Sequence, residues 1–101
     1  MNERYDLATS FEVAEHLVPW IANSFVDLLC KLSPIIVMSA ATPGQTGTDH
    51  VNEQPHSYWI DKFEHRHYSF DETSSKQLSR HWQLSNVAGF YYENVLDFRR
   101  Y

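Results

Sequence analysis

A short apolar run at residues 35–38 is followed closely by a long polar stretch at residues 42–59, and this junction most constrains the fold. The polar stretch holds Gly44 and Gly47, two of the three glycines in the chain, and two of its four prolines. Residues that permit turns therefore gather where a buried strand ends. Because ligands of open α/β sheets bind outside the carboxyl ends of the strands, the pattern predicts a binding site at this loop.

The residues before this loop predict a strand, a helix and a second strand. Residues 5–11 mix apolar and small side chains, as a strand that is covered on both faces does. Residues 22–32 predict an amphipathic helix, which Pro34 ends because proline disfavours the helical conformation of the residue before it. The crossover is long enough to make the strands at 5–11 and 35–39 parallel neighbours. The predicted apolar stripe of the helix comprises Ile21, Phe25, Leu28, Leu29 and Leu32.

The second half of the chain predicts one further helix, two strands and one less regular segment. The helix covers residues 57 to about 65, with Ser57 as its N-terminal cap. A strand follows at 68–70, a weakly helical or irregular segment at 74–84, and a final strand rich in aromatic and branched residues at 90–98. The predicted fold class is therefore α/β, with residues 1–101 forming one domain.

The charge and composition of the chain exclude several classes of protein. A formal net charge of −5 gives no general attraction to nucleic acids or to anionic membranes. No apolar run approaches the ~18 residues of a membrane span, and the first residues are too polar for a secretion signal. The single cysteine, Cys30, cannot form an internal disulfide and lies among leucines, as in proteins of a reducing compartment. We therefore expect a cytoplasmic protein that has neither a membrane nor a nucleic acid as its partner.

Two carboxylates and a histidine follow the first predicted strand. Glu12, Glu15 and His16 stand at positions i, i+3 and i+4, so a helical turn that begins there would place all three on one face. Carboxylates bind Mg²⁺ or Mn²⁺, the latter also accepts imidazole, and His50 at the next strand end is a further candidate ligand. The alternative is that both glutamates only favour the positive end of a helix dipole and that His16 is solvated.

The loop around His50 offers groups for a polar substrate. Residues 52–54, an Asn, a Glu and a Gln, lie beside His50, which is the candidate general base. The alternative is a polar surface loop whose glycines only permit tight turns. Tyr58 and Trp59 come next in the chain and are candidates either for the core or for the wall of a substrate loop.

Three segments of the chain resemble the class I S-adenosylmethionine-dependent methyltransferases. The run Tyr5-Asp6-Leu7, leading to Phe11-Glu12-Val13-Ala14-Glu15-His16-Leu17, resembles the fourth strand of that family and the loop after it. Residues 39–54, followed by Tyr58-Trp59, are similar to the fifth-strand loop of one branch of the family, and residues 90–96 are similar to its closing strand. The Glu-x-x-Glu-His motif also resembles the metal site of small-RNA 3′-end 2′-O-methyltransferases and of some ubiquinone-pathway O-methyltransferases.

The resemblance implies a partial doubly wound, Rossmann-like sheet that corresponds to the C-terminal half of such an enzyme and lacks its first three strands. The glycine-rich turn that holds the cofactor in this family has no counterpart in the sequence. The implied activity is O- or N-methyl transfer from S-adenosylmethionine to a small polar molecule. The implied site residues are Glu12 at the cofactor; Glu12, Glu15, His16 and His50 for Mg²⁺ or Mn²⁺; His50 as the base; and Gln45, Asn52, Glu53, Gln54, Tyr58 and Trp59 around the acceptor.

The strands that the resemblance finds missing imply a partner. In the family the fourth strand pairs with the first, so residues 5–11 are expected to form an exposed apolar edge here. We expect this edge to be covered by homo-oligomerisation or by a separate N-terminal half. The alternative is a non-catalytic remnant that acts as an interaction or oligomerisation module through the same edge.

Overall fold

The computed structural model describes residues 5–101, apart from the side chains of Phe90 and Tyr91. Its strands are β1 (Ala8–Ser10), β2 (Ile35–Ser39), β3 (Tyr68–Phe70) and β4 (Val95–Arg100). Its helices are α1 (Pro19–Leu32), α2 (His56–Glu64), α3 (Glu72–Leu84) and the single turn α4 (Gly89–Tyr92), and a short 3₁₀ turn covers Ala14–His16. Together they form a small α/β domain with one mixed sheet.

The four strands lie in the order β1-β2-β4-β3. β1 and β2 are parallel, with Ala8 opposite Ile36, and this confirms the predicted unit of two parallel strands joined by a helix. β4 runs antiparallel to both of its neighbours and places Val37 opposite Asp97. The carboxyl ends of β1 and β2 therefore lie side by side, at the edge of the sheet where the long loop between β2 and α2 begins.

α1 and α2 cover one face of the sheet and form the core with it. The largest buried side chains are Trp59 and Phe63 of α2, together with Tyr68 and Phe98 from the sheet. The rings of Phe63 and Phe98 stack with their centroids 4.0 Å apart. The Tyr68 hydroxyl donates to the carbonyl oxygen of Ser33 at 2.6 Å, just after α1. These contacts hold α2 against β3 and β4 and so fix one end of the long loop.

α3 packs on the opposite face of the sheet, against β4, and leaves part of that face open. Its N-terminus is capped by Asp71, which accepts a hydrogen bond from the Ser74 N–H at 2.9 Å. A cavity of about 590 Å³ between α3 and the sheet is lined by Leu7, Val37 and Leu78, among others. Within residues 5–101 no strand pairs with the outer edge of β1, and Leu7 beside it is 50% exposed. The sheet therefore presents an open edge next to an apolar groove.

The boundaries of β1, α1 and α2 differ from the sequence prediction. β1 covers only Ala8–Ser10 of the predicted residues 5–11. α1 begins three residues before the predicted start, at Pro19, because the fixed φ of proline suits the first position of a helix. α2 begins at His56 after Pro55, and no side chain in the described part of the chain caps it, so the prediction of Ser57 as its cap is wrong.

The buried stripe of α1 also differs from the predicted one. Ile21 and Leu28 are exposed by 45% and 52%, whereas Ala22, Val26 and Leu29 are buried. Of the predicted stripe, Leu29 is buried and Phe25 and Leu32 pack against the core, so the prediction is correct for these three residues and wrong for Ile21 and Leu28. Among the described residues, no helix has the length and apolar character needed to cross a membrane.

The C-terminal part of the chain forms a helical turn where a strand was predicted. Residues 90–98 are predicted to be one strand, but α4 occupies Gly89–Tyr92 and β4 covers Val95–Arg100. The Glu93 N–H donates to the Gly89 carbonyl oxygen at 2.9 Å, which satisfies the backbone of this segment locally. The segment predicted to be weakly helical or irregular is the regular helix α3, two residues longer at its start.

Candidate functional site

The ends of β1 and β2 are joined by a hydrogen bond. The backbone N–H of Glu12, just after β1, donates to Ser39 Oγ at 2.9 Å. Glu12 adopts a left-handed backbone conformation with φ of 61°, which turns the chain sharply after β1. This turn directs the 3₁₀ segment Ala14–His16 back toward the long loop after β2. The two strand ends that the sequence marks with acids and histidines therefore meet.

Glu15 ties the 3₁₀ turn to both ends of the long loop. Its Oε1 accepts a hydrogen bond from the Ala41 N–H at 2.9 Å. Its backbone carbonyl accepts from the N–H groups of Val51 and Asn52, both at 3.0 Å. The side chain is only 1% exposed, and its Oε2 has no hydrogen-bond partner among residues 5–101. A buried carboxylate oxygen without a donor is costly unless a positive group binds it.

His16 and His50 each use Nδ1 in a hydrogen bond and leave Nε2 available. Nδ1 of His16 lies 3.1 Å from the carbonyl oxygen of Asp49, and Nδ1 of His50 lies 2.7 Å from Glu53 Oε2. Both partners are acceptors, so Nδ1 carries the hydrogen in each ring, as inferred from these contacts. Nε2 of a neutral ring in this tautomer presents a lone pair to a ligand. The two rings meet edge to face with their centroids 4.8 Å apart.

The ligand atoms of Glu15, His16 and His50 all lie within 4.8 Å of one another. Glu15 Oε2 is 3.9 Å from His16 Nε2. Two metal–ligand bonds of about 2.0–2.2 Å span at most about 4.4 Å, so the side chains have to move closer together before all three atoms can bind one cation. We call these three residues the Glu-His cluster. The donors fit a divalent metal ion, since one is an unpartnered buried oxygen and two are imidazole nitrogens.

Glu12 lies beside the Glu-His cluster but outside the group of three close ligand atoms. The helical turn predicted to begin near Glu12 begins at Ala14 instead, so Glu12, Glu15 and His16 do not share one helical face. Burial raises the pKa of Glu12, and the negative charge of Glu15 raises it further, while His50 and His16 act in the opposite direction. The carboxyl group of Glu12 thus senses all three members of the cluster.

The polar side chains of the long loop bind mainly within the loop itself. Gln45 Oε1 accepts from the Thr42 N–H at 3.1 Å and from Asn94 Nδ2 at 2.9 Å. Gln54 Nε2 donates to Asn52 Oδ1 at 2.8 Å, and Asn52 is only 2% exposed. These residues were predicted to contact an acceptor molecule. These contacts are with the loop and with Asn94, while Asn52 Nδ2 is buried without a partner among residues 5–101, and the predicted acceptor role stays a prediction.

Glu53 has both of its carboxylate oxygens engaged in the same way. Oε2 accepts from His50, and Oε1 accepts from the Gly44 N–H at 3.2 Å. The hydrogen bond from His50 is the main reason that the pKa of Glu53 lies below its usual value, and the Gly44 N–H adds to it. The prediction placed Glu53 at the acceptor, whereas its contacts in the structure are with His50 and the loop backbone.

The aromatic pair after the loop belongs to the core and its border. Trp59, predicted as a substrate-binding residue, is 0% exposed and packs among the buried side chains of α1 and the sheet. Its buried position leaves no surface for a substrate. Tyr58 meets the Trp59 ring edge to face at 5.0 Å, and Lys62 Nζ lies 4.7 Å from the centre of the Tyr58 ring. The core alternative of the sequence analysis therefore describes Trp59.

Two loop residues hold His50, a role that the sequence analysis gave to neither of them. Glu53 contacts its Nδ1, and Gly47 lies under its ring, so a Cβ added at Gly47 would come within 2.7 Å of His50 Cε1 and Nε2. The available signal was the spacing of three residues between Gly47, His50 and Glu53, which brings residues together when the loop turns tightly.

Comparison of this chain with protein-family models, with curated proteins and with solved structures finds no match.

Proposed function

We propose that this chain is the acceptor-side half of an S-adenosylmethionine-dependent methyltransferase that transfers a methyl group to an oxygen or nitrogen of a small polar molecule. In this proposal the Glu-His cluster binds a divalent cation beside the acceptor. The observation that carries the proposal is the convergence of Glu15, His16 and His50 at the adjoining carboxyl ends of β1 and β2.

The arrangement of the strands supports the methyltransferase part of the proposal. The resemblance assigns the segments after β1 and β2 to two successive loops of one active site. Such loops share a site only if their strands are parallel neighbours, because antiparallel strands send their loops to opposite edges of the sheet. β1 and β2 are parallel neighbours, and the hydrogen bond from Glu12 to Ser39 joins their ends. The observed sheet therefore meets the requirement that the resemblance imposes.

The chemistry of the donor set supports a cation of the Mn²⁺ type. Two imidazole nitrogens and one carboxylate oxygen suit Mn²⁺ better than Mg²⁺, which prefers oxygen ligands throughout. Three protein ligands also leave coordination positions for an acceptor or water. When bound, such a cation polarises an acceptor hydroxyl and favours its deprotonation before methyl transfer.

His50 has two candidate roles that compete for one atom. Its Nδ1 is held by Glu53, so only Nε2 is available, and Nε2 lies near the donor atoms of Glu15 and His16. A nitrogen that binds a cation cannot accept a proton from the acceptor at the same time. We assign His50 as a ligand, because the cluster already places two other donor atoms beside it.

The charge of Glu12 supports a positive ligand at the same place. Burial and the neighbouring charge of Glu15 raise the pKa of Glu12, since a second negative charge at this site is unfavourable. A bound cation, or the sulfonium of S-adenosylmethionine, would offset this repulsion. In this proposal Glu12 lies at the cofactor side of the cluster, where its backbone N–H is held by Ser39.

Calorimetric titration with S-adenosylmethionine tests the proposal. The isolated chain is expected to bind no cofactor, because it lacks the glycine-rich turn that the family uses. Addition of a matching N-terminal methyltransferase half should restore cofactor binding and methyl transfer. In that complex Glu15→Gln should keep cofactor binding and lose methyl transfer. Failure of the combined halves to bind S-adenosylmethionine would contradict the proposal.

The second candidate function is a non-catalytic interaction module. The open outer edge of β1, next to exposed Leu7 and the apolar groove, favours it, because an unpaired strand edge can add a strand from another chain. This candidate predicts association without cofactor binding. The same titration separates the two candidates, since only the methyltransferase half gains affinity for S-adenosylmethionine when its partner is present.

A further inference from the structure

The ring of His50 is held by residues of its own loop. His50 Nδ1 lies 2.7 Å from Glu53 Oε2, and the two side chains are only 12% and 17% exposed. The partner of Nδ1 is a carboxylate, which accepts hydrogen bonds and donates none when ionised. The pair therefore keeps the hydrogen on Nδ1 and directs Nε2 away from Glu53.

Glu53 is itself fixed by the other end of the same loop. Its second oxygen, Oε1, accepts from the Gly44 N–H at 3.2 Å, nine residues earlier in the chain. One carboxylate thus connects Gly44 to His50. This arrangement holds the carboxylate in place independently of any substrate, so Glu53 is already in position to orient the ring.

Gly47 makes room for the edge of the ring that carries Nε2. A Cβ at this position would lie 2.7 Å from both Cε1 and Nε2 of His50 and 3.0 Å from Cδ2. The backbone of Gly47 is not in the left-handed region, in contrast to that of Gly44 with φ of 86°. Space for the ring, and not backbone conformation, is therefore what Gly47 provides.

We infer that Glu53 and Gly47 are positioning residues that fix the tautomer and the orientation of the His50 ring, so that Nε2 faces Glu15 and His16 as a metal ligand. This inference rests on the metal site of the proposed function. A histidine that binds a metal usually donates its other N–H to a carboxylate or a carbonyl, and loss of that partner typically lowers metal affinity by about 10- to 100-fold. The role of Glu53 is then to orient a ligand and not to contact the acceptor.

The tautomer of His50 tests the role of Glu53 without any metal. Long-range ¹H–¹⁵N NMR of the metal-free chain should show the hydrogen on Nδ1 of His50. Glu53→Ala removes the acceptor and should move His50 toward the Nε2–H form that predominates in water, while Glu53→Gln keeps a carbonyl acceptor and should restore much of the Nδ1–H signal. Glu64→Ala, at the exposed end of α2, removes the same charge outside the loop and should leave the tautomer unchanged.

Titration with Mn²⁺ tests the consequence for metal binding. Glu53→Ala and Gly47→Ala should each weaken Mn²⁺ binding by about 10- to 100-fold. Gly47→Ala should do so while His50 stays in the Nδ1–H form, because it displaces the ring without removing its partner. Gly89→Ala is the matched control, since a Cβ there meets its nearest atom at 3.6 Å, an ordinary contact. Chemical shifts of core amides verify that each variant is folded.

The outcomes separate this inference from the proposed function. An unchanged tautomer in folded Glu53→Ala overturns the orienting role of Glu53, and Mn²⁺ affinity within two-fold of the parent in Gly47→Ala overturns that of Gly47. A parent chain that binds no Mn²⁺ overturns the ligand role of His50, while the NMR result still decides whether Glu53 sets its tautomer. Cofactor binding by the combined halves is measured separately and depends on neither result.

Discussion

Replacement of Glu15 by Gln should change the stability of the protein in opposite directions with and without metal. Glu15→Gln keeps the shape of the side chain and an oxygen that can accept the Ala41 N–H, now 2.9 Å from Glu15 Oε1. It removes the charge of a carboxylate whose Oε2 is buried without a partner in the described residues. The variant therefore isolates the charge of Glu15 from its hydrogen bond.

The size of each effect follows from the burial of Glu15 and from mass action. Leaving a buried polar group unsatisfied costs about 1–3 kcal/mol, and more when the group is charged. Glu15→Gln replaces the charged oxygen by a neutral amide that also lacks a partner, so it should stabilise the metal-free protein only by the difference, about 1 kcal/mol. A ligand at about 100 times its dissociation constant stabilises the parent by about 2.7 kcal/mol. For a domain of this size 1 kcal/mol shifts the melting temperature by about 4–8 °C, so Mn²⁺ should raise that of the parent by roughly 10–20 °C.

Differential scanning calorimetry with and without Mn²⁺ measures both effects. The variant should melt above the parent in the presence of a chelator and should not respond to Mn²⁺, whereas the parent should. Glu15→Ala also leaves the Ala41 N–H without its acceptor, and should therefore melt below both in chelator. An equal Mn²⁺-induced shift in parent and Glu15→Gln would refute Glu15 as a ligand. A lower melting temperature of Glu15→Gln in chelator would refute the reasoning on its buried charge.

Three further predictions concern other parts of the fold. Burial raises the pKa of Cys30 to about 11 from 9.0, so less of the reactive thiolate is present in the native protein. Iodoacetamide at pH 8 should therefore alkylate Cys30 about 100-fold more slowly in the native than in the unfolded chain. Mass spectrometry follows the reaction, and equal rates would contradict this prediction. The Ser74 N–H lowers the pKa of Asp71, whose stabilising charge is present above the unfolded pKa of 3.8 and is lost as the pH falls through the folded value. Asp71→Asn should therefore be less stable than the parent in urea at neutral pH, and the difference should shrink as the pH falls from the unfolded pKa through the folded value. Leu7→Lys, next to the open edge of β1, should lower concentration-dependent self-association in analytical ultracentrifugation without changing the melting temperature. A parent protein that is monomeric at all concentrations would show that no second chain covers this edge.

Segments whose structure depends on local residues were predicted well from the sequence. β2 and β3 occupy the predicted residues, because a continuous apolar run and a triplet with aromatic residues at both ends have few alternatives. The stripe of α1 was predicted in part, at Phe25, Leu29 and Leu32, because apolar residues such as Ile21 and Ala22 occupy adjacent stripes of this helix. Periodicity alone does not say which of the two faces the sheet. That choice depends on the shape of the sheet surface.

The aromatic residues at 90–92 favoured a strand on composition, yet α4 forms there. β4 begins only where a partner is available, with Val95 opposite Ser39 of β2. The preceding residues find their backbone partner locally, as the bond from Glu93 to Gly89 illustrates. Pairing with a strand more than fifty residues away, and not the strand preference of the aromatic residues, determines where β4 begins. A single sequence does not carry the information on that pairing.

The candidate site was predicted in its residue types but not in its geometry. Glu15, His16 and His50 were all identified as candidate ligands, since acids and histidines follow two predicted strands. The burial of Glu15 and the exclusion of Glu12 from the close group depend on the left-handed turn at Glu12, for which glutamate carries no sequence signal. The contact of His16 with Asp49 spans 33 residues, so spacing within one motif could not reveal it.

The position of β4 in the sheet determines the order in which the protein completes its fold during synthesis on the ribosome. Among the described strands β3 pairs only with β4, whereas β2 also pairs with β1. Since β4 is the last of the four strands to be translated, the nascent chain must hold α2 and β3 without their central support until Val95–Arg100 emerges from the exit tunnel. Until then β3 has no strand to pair with among the described residues, and the faces of α2 and β3 that pack on β4 stay uncovered.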